Sequence, residues 1–371
     1  MSVSAIIVNY HTSKYLPELI DDLIALKDIE QIFIVDNSSE IDGSFLSNYF
    51  VSYPHRIELI KPGKNLGFGA GVNLAASRAS SEYLLVINPD VRLFPDCLTH
   101  LLEAARKYGS VLTGPRFFWD DAKKYKLPPS QGASSWLDYA FEAAGGSRLE
   151  FEHLSFYWQM CHERFWSYTT PFTELFLSGA CVLINRQWAM ESLSAVFDER
   201  FFLYFEDNDI SLRAHFNGVP PLCVPAAEAL HHYDQSPSPE KSKADLMAQS
   251  HIQFSEKYYG GMTYLLNKKD TYLPEISDMG LNTSPFSFDT KCLEPSVGNL
   301  YFEIGVNPCF VPFAQTDIKV TQTDIKGLYE NKIDVFTLDS TIWNRLAKGI
   351  YYGRARDSIK GTLKIWKWQK V

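Results

Sequence analysis

The sequence predicts an α/β fold on a largely parallel sheet, followed by a smaller β-rich region, and three observations carry that expectation. The first half alternates short apolar runs with helix-like stretches, the pattern of strands joined by crossover helices. Three of those runs end in polar clusters, Val8-Asn9-Tyr10, Val35-Asp36-Asn37 and Asn88-Pro89-Asp90. Strands of an open sheet end in this way where they deliver side chains to a ligand crevice. Past about Leu265 the texture turns to alternating, aromatic stretches.

Taken in order, Ser4 to Val8 reads as a first buried strand and Tyr15 to Leu26 as a helix. Ile32 to Val35 and Ile57 to Ile60 follow as strands, Gly69 to Ser77 as a helix, and Tyr83 to Ile87 as a fourth strand. Asp96 to Tyr108 has helical spacing, and Val111 to Leu112 is a short strand. From Arg116 to about Pro171 the periodicity breaks down amid Trp136, Tyr157, Trp158 and Trp166, so residues 116–170 read as an aromatic insertion on the acceptor side. Cys181 to Ile184 restores strand character, and helices are expected over Asp207 to Asn217 and Pro239 to Tyr259. Asn282 to Thr290 is loop-like and Leu300 to Pro312 strand-like. Ile350 to Arg356 and Thr362 to Trp368 flank Asp-Ser-Ile-Lys-Gly as a hairpin. The expected domains are therefore 1–265 and a β-rich 270–371.

Composition removes several classes. With 46% hydrophobic and 21% charged residues, the 371-residue chain is neither disordered nor short of a core. A net charge of −9 disfavours a general nucleic-acid binder. No apolar run reaches the length of a membrane span, and Met1 to Tyr10 does not read as a signal peptide. Six scattered cysteines without a CxxC pair suit reduced thiols in a cytoplasmic protein. The charge is uneven: from Thr341 to Val371 eight Lys and Arg face one acid, Asp357, a local balance of +7. That tail either packs on the surface or docks to an anionic membrane face.

Each chemical candidate has two readings. Asp36 either starts the turn before Ser38-Ser39 or accepts the N3–H of a pyrimidine. Asn65-Leu66-Gly67-Phe68-Gly69-Ala70-Gly71 does not fit a dinucleotide fingerprint, because no strand runs directly into it; its glycines either ease a helix entry or approach a phosphate. Asp90 is a turn former or a ligand for a hard cation. The densest cluster, Tyr204-Phe205-Glu206-Asp207-Asn208-Asp209, brings three carboxylates to the start of a helix. There they complement the helix dipole, or one of them, with its pKa raised by apolar walls, is a general base. Arg213 reads as a local partner. His231 and His232 are each either packed histidines or a metal ligand.

The ordered set Ala5-Ile6-Ile7-Val8-Asn9-Tyr10, Val35-Asp36-Asn37-Ser38-Ser39, Asn65-Leu66-Gly67-Phe68, Asn88-Pro89-Asp90, Ser178-Gly179-Ala180 and Tyr204 to Asp209 resembles the family 2 glycosyltransferases of GT-A fold. Within them it is similar to the rhamnosyltransferase-like branch of O-antigen, capsule and cell-wall assembly. The resemblance covers residues 1 to 260. It implies a Rossmann-like mixed sheet and an inverting hexosyl transfer from a nucleotide-diphosphate donor, dTDP-L-rhamnose or a UDP-sugar, to a hydroxyl of a lipid-linked glycan. It further implies that Asp36 contacts the base, that Asn9 and Tyr10 line the nucleotide pocket, and that Asn65 and Gly67 sit near ribose or diphosphate. Asp90 matches the last position of the DxD metal motif, with Asn88 at the first. His231, or else His232, completes an Mg²⁺ or Mn²⁺ site. Ser178 and Gly179 border the donor sugar or acceptor, and Asp207, the second acid of the catalytic Glu206-Asp207 pair, is the base. The enzyme is expected to be cytoplasmic, peripheral on the inner membrane face.

Overall fold

The computed structural model describes residues 2–41, 44–192, 195–233, 235–237, 242–260, 274–290, 293, 299–318, 320–325, 328–333 and 335–371. The chain separates into two compact units. The first comprises 1–117, 129–135 and 166–263; the second comprises 118–128, 136–165 and 264–371. The boundary expected at 265–270 falls outside the described residues. Most of the 116–170 segment, read from sequence as an insertion in the first domain, belongs to the second unit.

The first unit is built on nine strands: β1 (Val3–Asn9), β2 (Ile29–Asp36), β3 (Ile57–Ile60), β4 (Tyr83–Ile87), β5 (Val91–Leu93), β6 (Leu112–Phe118), β7 (Phe172–Thr173), β8 (Cys181–Asn185) and β9 (Leu222–His231). Their order is β3-β2-β1-β4-β8-β6-β9-β5, with β7 beside β9. Strands β3, β2, β1 and β4 are parallel, and β8 runs antiparallel to β4. The chain steps outward from β1 through β2 and β3, then crosses back to lay β4 on the other side of β1. The carboxyl ends of β1 and β4 therefore flank a topological switch point, where open α/β sheets bind ligands. Both strands are buried along their length, which explains their unbroken apolar runs. Helices α1 (Leu16–Ala25), α2 (Ser47–Ser52), α3 (Phe68–Ala76) and α4 (Cys97–Tyr108) form the crossovers.

Strand β6 is longer than the two residues expected. Gly114 is a strand residue whose absent side chain leaves room for Leu177: a Cβ there would lie 3.1 Å from its Cδ2. The stretch with no visible period contains α5 (Ser135–Ala144) and the 20-residue α6 (Arg148–Ser167). Its inner face (Phe151, Leu154, Trp158, Phe165) is buried, while Leu149, Phe156 and Met160 on the outer face are also apolar, so no single stripe shows. The first unit closes with α7 (Arg186–Ser192), α8 (Glu206–Phe216) and α9 (Lys243–Tyr259). The expected start of α9 at Pro239 lies outside the described residues.

The second unit adds β10 (Ser277–Asn282), β11 (Ser287–Phe288), β12 (Leu300–Gly305), β13 (Phe313–Ile318), β14 (Val320–Ile325), β15 (Leu328–Ile333), β16 (Phe336–Thr337), helix α10 (Ser340–Arg345), β17 (Gly349–Asp357) and β18 (Gly361–Lys370). Its main sheet runs β10-β18-β17-β12-β13. The expected hairpin is β17–β18. Phe288, Phe302, Phe336, Trp366 and Trp368 fill one core, with the Phe302 and Phe336 rings stacked at 3.8 Å. A second core joins α5 and α6 to Phe310, Phe313 and Ile365.

The basic tail turns much of its charge inward. Arg354 and Arg356 are each 1% exposed and bind the buried Glu303. Arg345 pairs with Asp121, Lys367 with Asp278, and Lys370 donates to the Trp343 and Leu346 carbonyls. The +7 count is thus not a +7 surface. No described helix is long and apolar enough to cross a membrane. The described cysteines are all unbridged.

Candidate active site

Parallel register sets Asn9 opposite Asp36 at the ends of β1 and β2. Both are buried. Asn9 Nδ2 lies 3.1 Å from Asp36 Oδ1, 3.2 Å from Ser38 Oγ and 2.9 Å from Glu40 Oε1. Asp36 also accepts from the Ser38 N–H and hydroxyl on Oδ1 and from the Ile41 N–H, at 2.8 Å, on Oδ2. Burial works to raise this carboxyl, but the hydrogen bonds from Ile41, Ser38 and Asn9 outweigh it and hold the group below its ordinary range. The structure therefore gives Asp36 the turn-forming role at once. Tyr10, half-buried, packs edge-on to His11 at 4.7 Å. Glu40, which sequence reasoning missed, accepts from Asn9, from Ser13 N–H and from the His11 ring. Nothing in its local sequence marks it, because only the Asp36–Ser38 turn returns it to the end of β1.

The glycine segment has a mechanical role. Gly67 caps α3 with φ +87°, and its N–H donates to Asn65 Oδ1 at 2.9 Å. A Cβ at Gly67 would lie 2.4 Å from the Phe202 carbonyl oxygen, the same oxygen that accepts the Phe68 N–H. Asn73 exchanges hydrogen bonds with the Phe197 backbone at 2.8 and 3.0 Å. Two contacts thus clamp the 197–202 loop to α3. Downstream, Tyr204 and Phe205 both have φ of +69°, a conformation costly for bulky residues. Tertiary packing holds it: Phe205 is buried against Phe254, and Ser250 Oγ donates to the Leu203 carbonyl. The strained turn ends at the first residue of α8 and projects Glu206 and Asp207.

Asp207 is half-buried. Its Oδ2 accepts the Gly179 N–H at 2.9 Å, and Oδ1 accepts the Asn208 N–H at 2.8 Å. Asn88, just past β4, donates its N–H to the Ala180 carbonyl at 2.8 Å. Ser178 Oγ accepts the Ala180 N–H at 3.2 Å. The structure so joins Asn88, Ser178, Gly179 and Asp207 at the β4 end of the switch point. A Cβ on Gly179 would come within 3.1 Å of Asp207 Cβ, so glycine lets the carboxylate sit on the backbone. Asp209 is no part of this: fully buried, it pairs with Lys257 and, at 2.7 Å, with Arg213, the expected local partner.

Strand β5 pairs with β9 so that Val91 opposes His231. That register sets Asp90 Oδ2 3.6 Å from His231 Nε2, both side chains nearly buried. His232 instead stacks on Tyr15, centroids 5.2 Å apart, while its N–H donates to the Asp90 carbonyl. An adjoining carboxylate and imidazole fit a divalent cation. Among the described residues no third His, Cys, Asp or Glu joins them.

The sequence model of Glycosyl transferase family 2 matches residues 4–193. The chain belongs to this family. Its mixed sheet is of the GT-A type, and it is a glycosyltransferase. It is 28% identical over 238 residues to an N-acetylglucosaminyl-diphospho-decaprenol L-rhamnosyltransferase of Mycobacterium tuberculosis, covering 61% of this chain and 74% of that one. It is 25% identical over 281 residues to the O-antigen biosynthesis protein RfbC of Myxococcus xanthus, covering 73% of this chain and 20% of that one. Among solved structures it resembles GalNAc-T7 with UDP, GalNAc and Mn²⁺ at a TM-score of 0.47 and 14% identity. That match covers 62% of this chain, which spans less than half, 44%, of that one.

In this family 2 transferase the adjacent acids Glu206 and Asp207 sit in different surroundings. Glu206 is 6% exposed, its Oε2 meets no partner, and burial first, then the charges of Asp207 and Asp209, push it well above the usual carboxylate range. Burial also raises Asp207, but the N–H donors of Gly179 and Asn208 favour its charged form. The two neighbours thus differ in what opposes their ionisation: Glu206 has burial and adjacent charge against it, whereas the Asp207 carboxylate keeps two N–H donors. A carboxyl whose folded pKa is raised contributes stability below its unfolded pKa and loses it as pH rises through the folded value. Glu206→Gln, which needs no proton, is expected to raise Tm at pH 8, with the gain vanishing toward about pH 4. A calorimetric Tm that falls at pH 8 would contradict the assignment.

Proposed function

We propose that this family 2 transferase moves L-rhamnose from dTDP-L-rhamnose, with inversion, to a hydroxyl of a lipid-diphosphate-linked glycan. The observation that carries the chemistry is Asp207, whose Oδ2 accepts the Gly179 N–H beside the end of β4. Likeness to a protein named as an L-rhamnosyltransferase acting on a diphospho-decaprenol acceptor supports the sugar and the acceptor class.

Asp207 takes the proton of the acceptor hydroxyl as that oxygen bonds to the anomeric carbon. The bond from that carbon to phosphate oxygen breaks, and the nucleotide diphosphate leaves with the electron pair on the opposite face. One displacement inverts the centre, and no covalent enzyme intermediate forms. Asp90 and His231 would hold a divalent cation, Mn²⁺ or Mg²⁺, whose charge neutralises the departing diphosphate. The imidazole ligand favours Mn²⁺ over the oxygen-seeking Mg²⁺. Asn9, Tyr10 and Asp36 border the nucleotide from the β1–β2 side, with Asn65 and Gly67 toward the diphosphate and Asn88, Ser178 and Gly179 toward the sugar.

Calorimetric titration with a panel of dTDP- and UDP-sugars, with Mn²⁺, Mg²⁺ or chelator, tests this reading. dTDP-L-rhamnose is expected to bind best with Mn²⁺, and chelator or His231→Ala to weaken it by about tenfold or more. Preference for a UDP-sugar replaces the donor. Failure of every nucleotide sugar to bind overturns the proposal.

A further inference from the structure

The first turn of α8 carries two acids on opposite sides. Asp207 and Asp209, two residues apart, point roughly 200° apart around the helix axis. Asp207 meets the Gly179 N–H, whereas Asp209 is fully buried and turned to α9. Its Oδ1 accepts from Lys257 Nζ and, at 2.6 Å, from the Tyr258 hydroxyl, and its Oδ2 faces Arg213 Nε at 2.7 Å. Lys257 Nζ also reaches Asp198 Oδ2 at 2.8 Å, in the loop that Asn73 clamps to α3. We infer that Lys257 and Tyr258 are positioning residues for the transfer: by fixing Asp209 they set the rotation of α8, and so the direction in which Asp207 points.

Neither acid nor lysine needs this arrangement for its ordinary helical role. An acid in a first turn favours the helix dipole from solvent, and a lysine in a last turn does the same at the other end. Burying the acid costs free energy unless donors surround it. Lys257, its side chain 20% exposed, instead divides its charge between two carboxylates, one on the loop before the base and one on the helix that carries it. The turn between them holds Tyr204 and Phe205 at φ +69°, a conformation that persists only where the surroundings over-determine it. Ser250 and Phe254 hold the middle of that turn, and Lys257 joins its two ends. Side-chain ends lie roughly 5–6 Å from a helix axis, so a rotation of about 10° displaces the Asp207 carboxylate by ~1 Å. Misplacement by that much costs on the order of 10²-fold in rate.

The inference rests on Asp207 as the base, and a mutant cycle on the full chain separates the two. Turnover is read as hydrolysis of dTDP-L-rhamnose, or of the UDP-sugar that binds in its place, with water standing for the acceptor hydroxyl. Lys257→Met is expected to lower kcat by about 10- to 100-fold while donor Kd, by calorimetric titration, stays within about threefold of wild type. Lys257→Arg should recover most of that rate. Tyr258→Phe, which deletes one hydroxyl, should cost about three- to tenfold and carries the test should Lys257→Met fail to fold. In an Asp207→Asn background each substitution should cost less than about twofold, because a side chain that takes no proton gains nothing from being aimed. An equal fold loss in both backgrounds, a donor affinity that falls in step with kcat, or full turnover in both single variants would overturn the inference alone. Wild-type turnover in Asp207→Asn itself would remove the base and this inference together.

Discussion

Asp207→Asn is expected to lower kcat by about 10²- to 10⁴-fold while donor affinity stays within roughly threefold of wild type. The variant keeps the side chain's size but removes its ability to take a proton. Wild-type Asp207 faces two N–H donors, Gly179 and Asn208. An asparagine has one oxygen, so one donor meets an NH₂ group and the side chain turns slightly. A merely structural Asp207 would therefore lose stability and donor affinity together. The two roles separate in a pH profile. A base must be ionised, and burial raises Asp207 above its ordinary value. Wild-type turnover should fall as pH drops through a limb set above the usual carboxylate range, and the Asn variant's residual rate should be flat there. A variant that turns over within about threefold of wild type would remove Asp207 from the reaction.

What the sequence disclosed and what it hid have separate physical causes. Strands β1, β2 and β4 are buried on both faces, so their apolar runs are legible, and their polar ends follow. The pairing of Asp90 with His231 rests on a strand register between segments about 140 residues apart, which periodicity does not contain. At the end of β9 the two rings part in space, His231 lying beside Asp90 and His232 stacking on Tyr15, a difference the sequence does not show. Helix α6 was invisible because both faces are apolar and a one-stripe search cancels them. The glycine segment was read as a helix entry or a phosphate loop; it also clamps the loop ahead of Asp207, because Gly67 touches a backbone oxygen 135 residues away. Charge counting left the tail's role open, since a sum over residues does not tell a solvated arginine from Arg354 or Arg356.

Those two arginines lead to the largest expected effect on stability. Glu303 lies on β12, between β13 and β17, and is fully buried. One of its oxygens binds Arg354 at 2.5 Å and the other binds Arg356 at 2.8 Å. Arg354 also lies over the Phe310 ring at 4.3 Å and donates to Ser155. Arg356 lies over Tyr301 at 4.7 Å and reaches Glu163 at 3.0 Å. One acid thus fixes two guanidiniums that carry α6 against the sheet. Burial first, then the charge of Arg356, pulls Arg354 below its ordinary value, and Glu303 is the main group opposing them. Glu303→Gln keeps the shape and deletes the charge, leaving Arg354 buried without a counter-charge and Arg356 with only the half-exposed Glu163. The expected cost is about 3–5 kcal/mol, roughly a 10 °C fall in the melting of this unit. The loss comes from stranding partners rather than from the worth of the pair, so apolar replacement of all three residues together should recover most of it. Calorimetry on the single and triple variants separates these cases: a single variant that melts within about 2 °C of wild type would mean that water or rearranged side chains already serve the arginines.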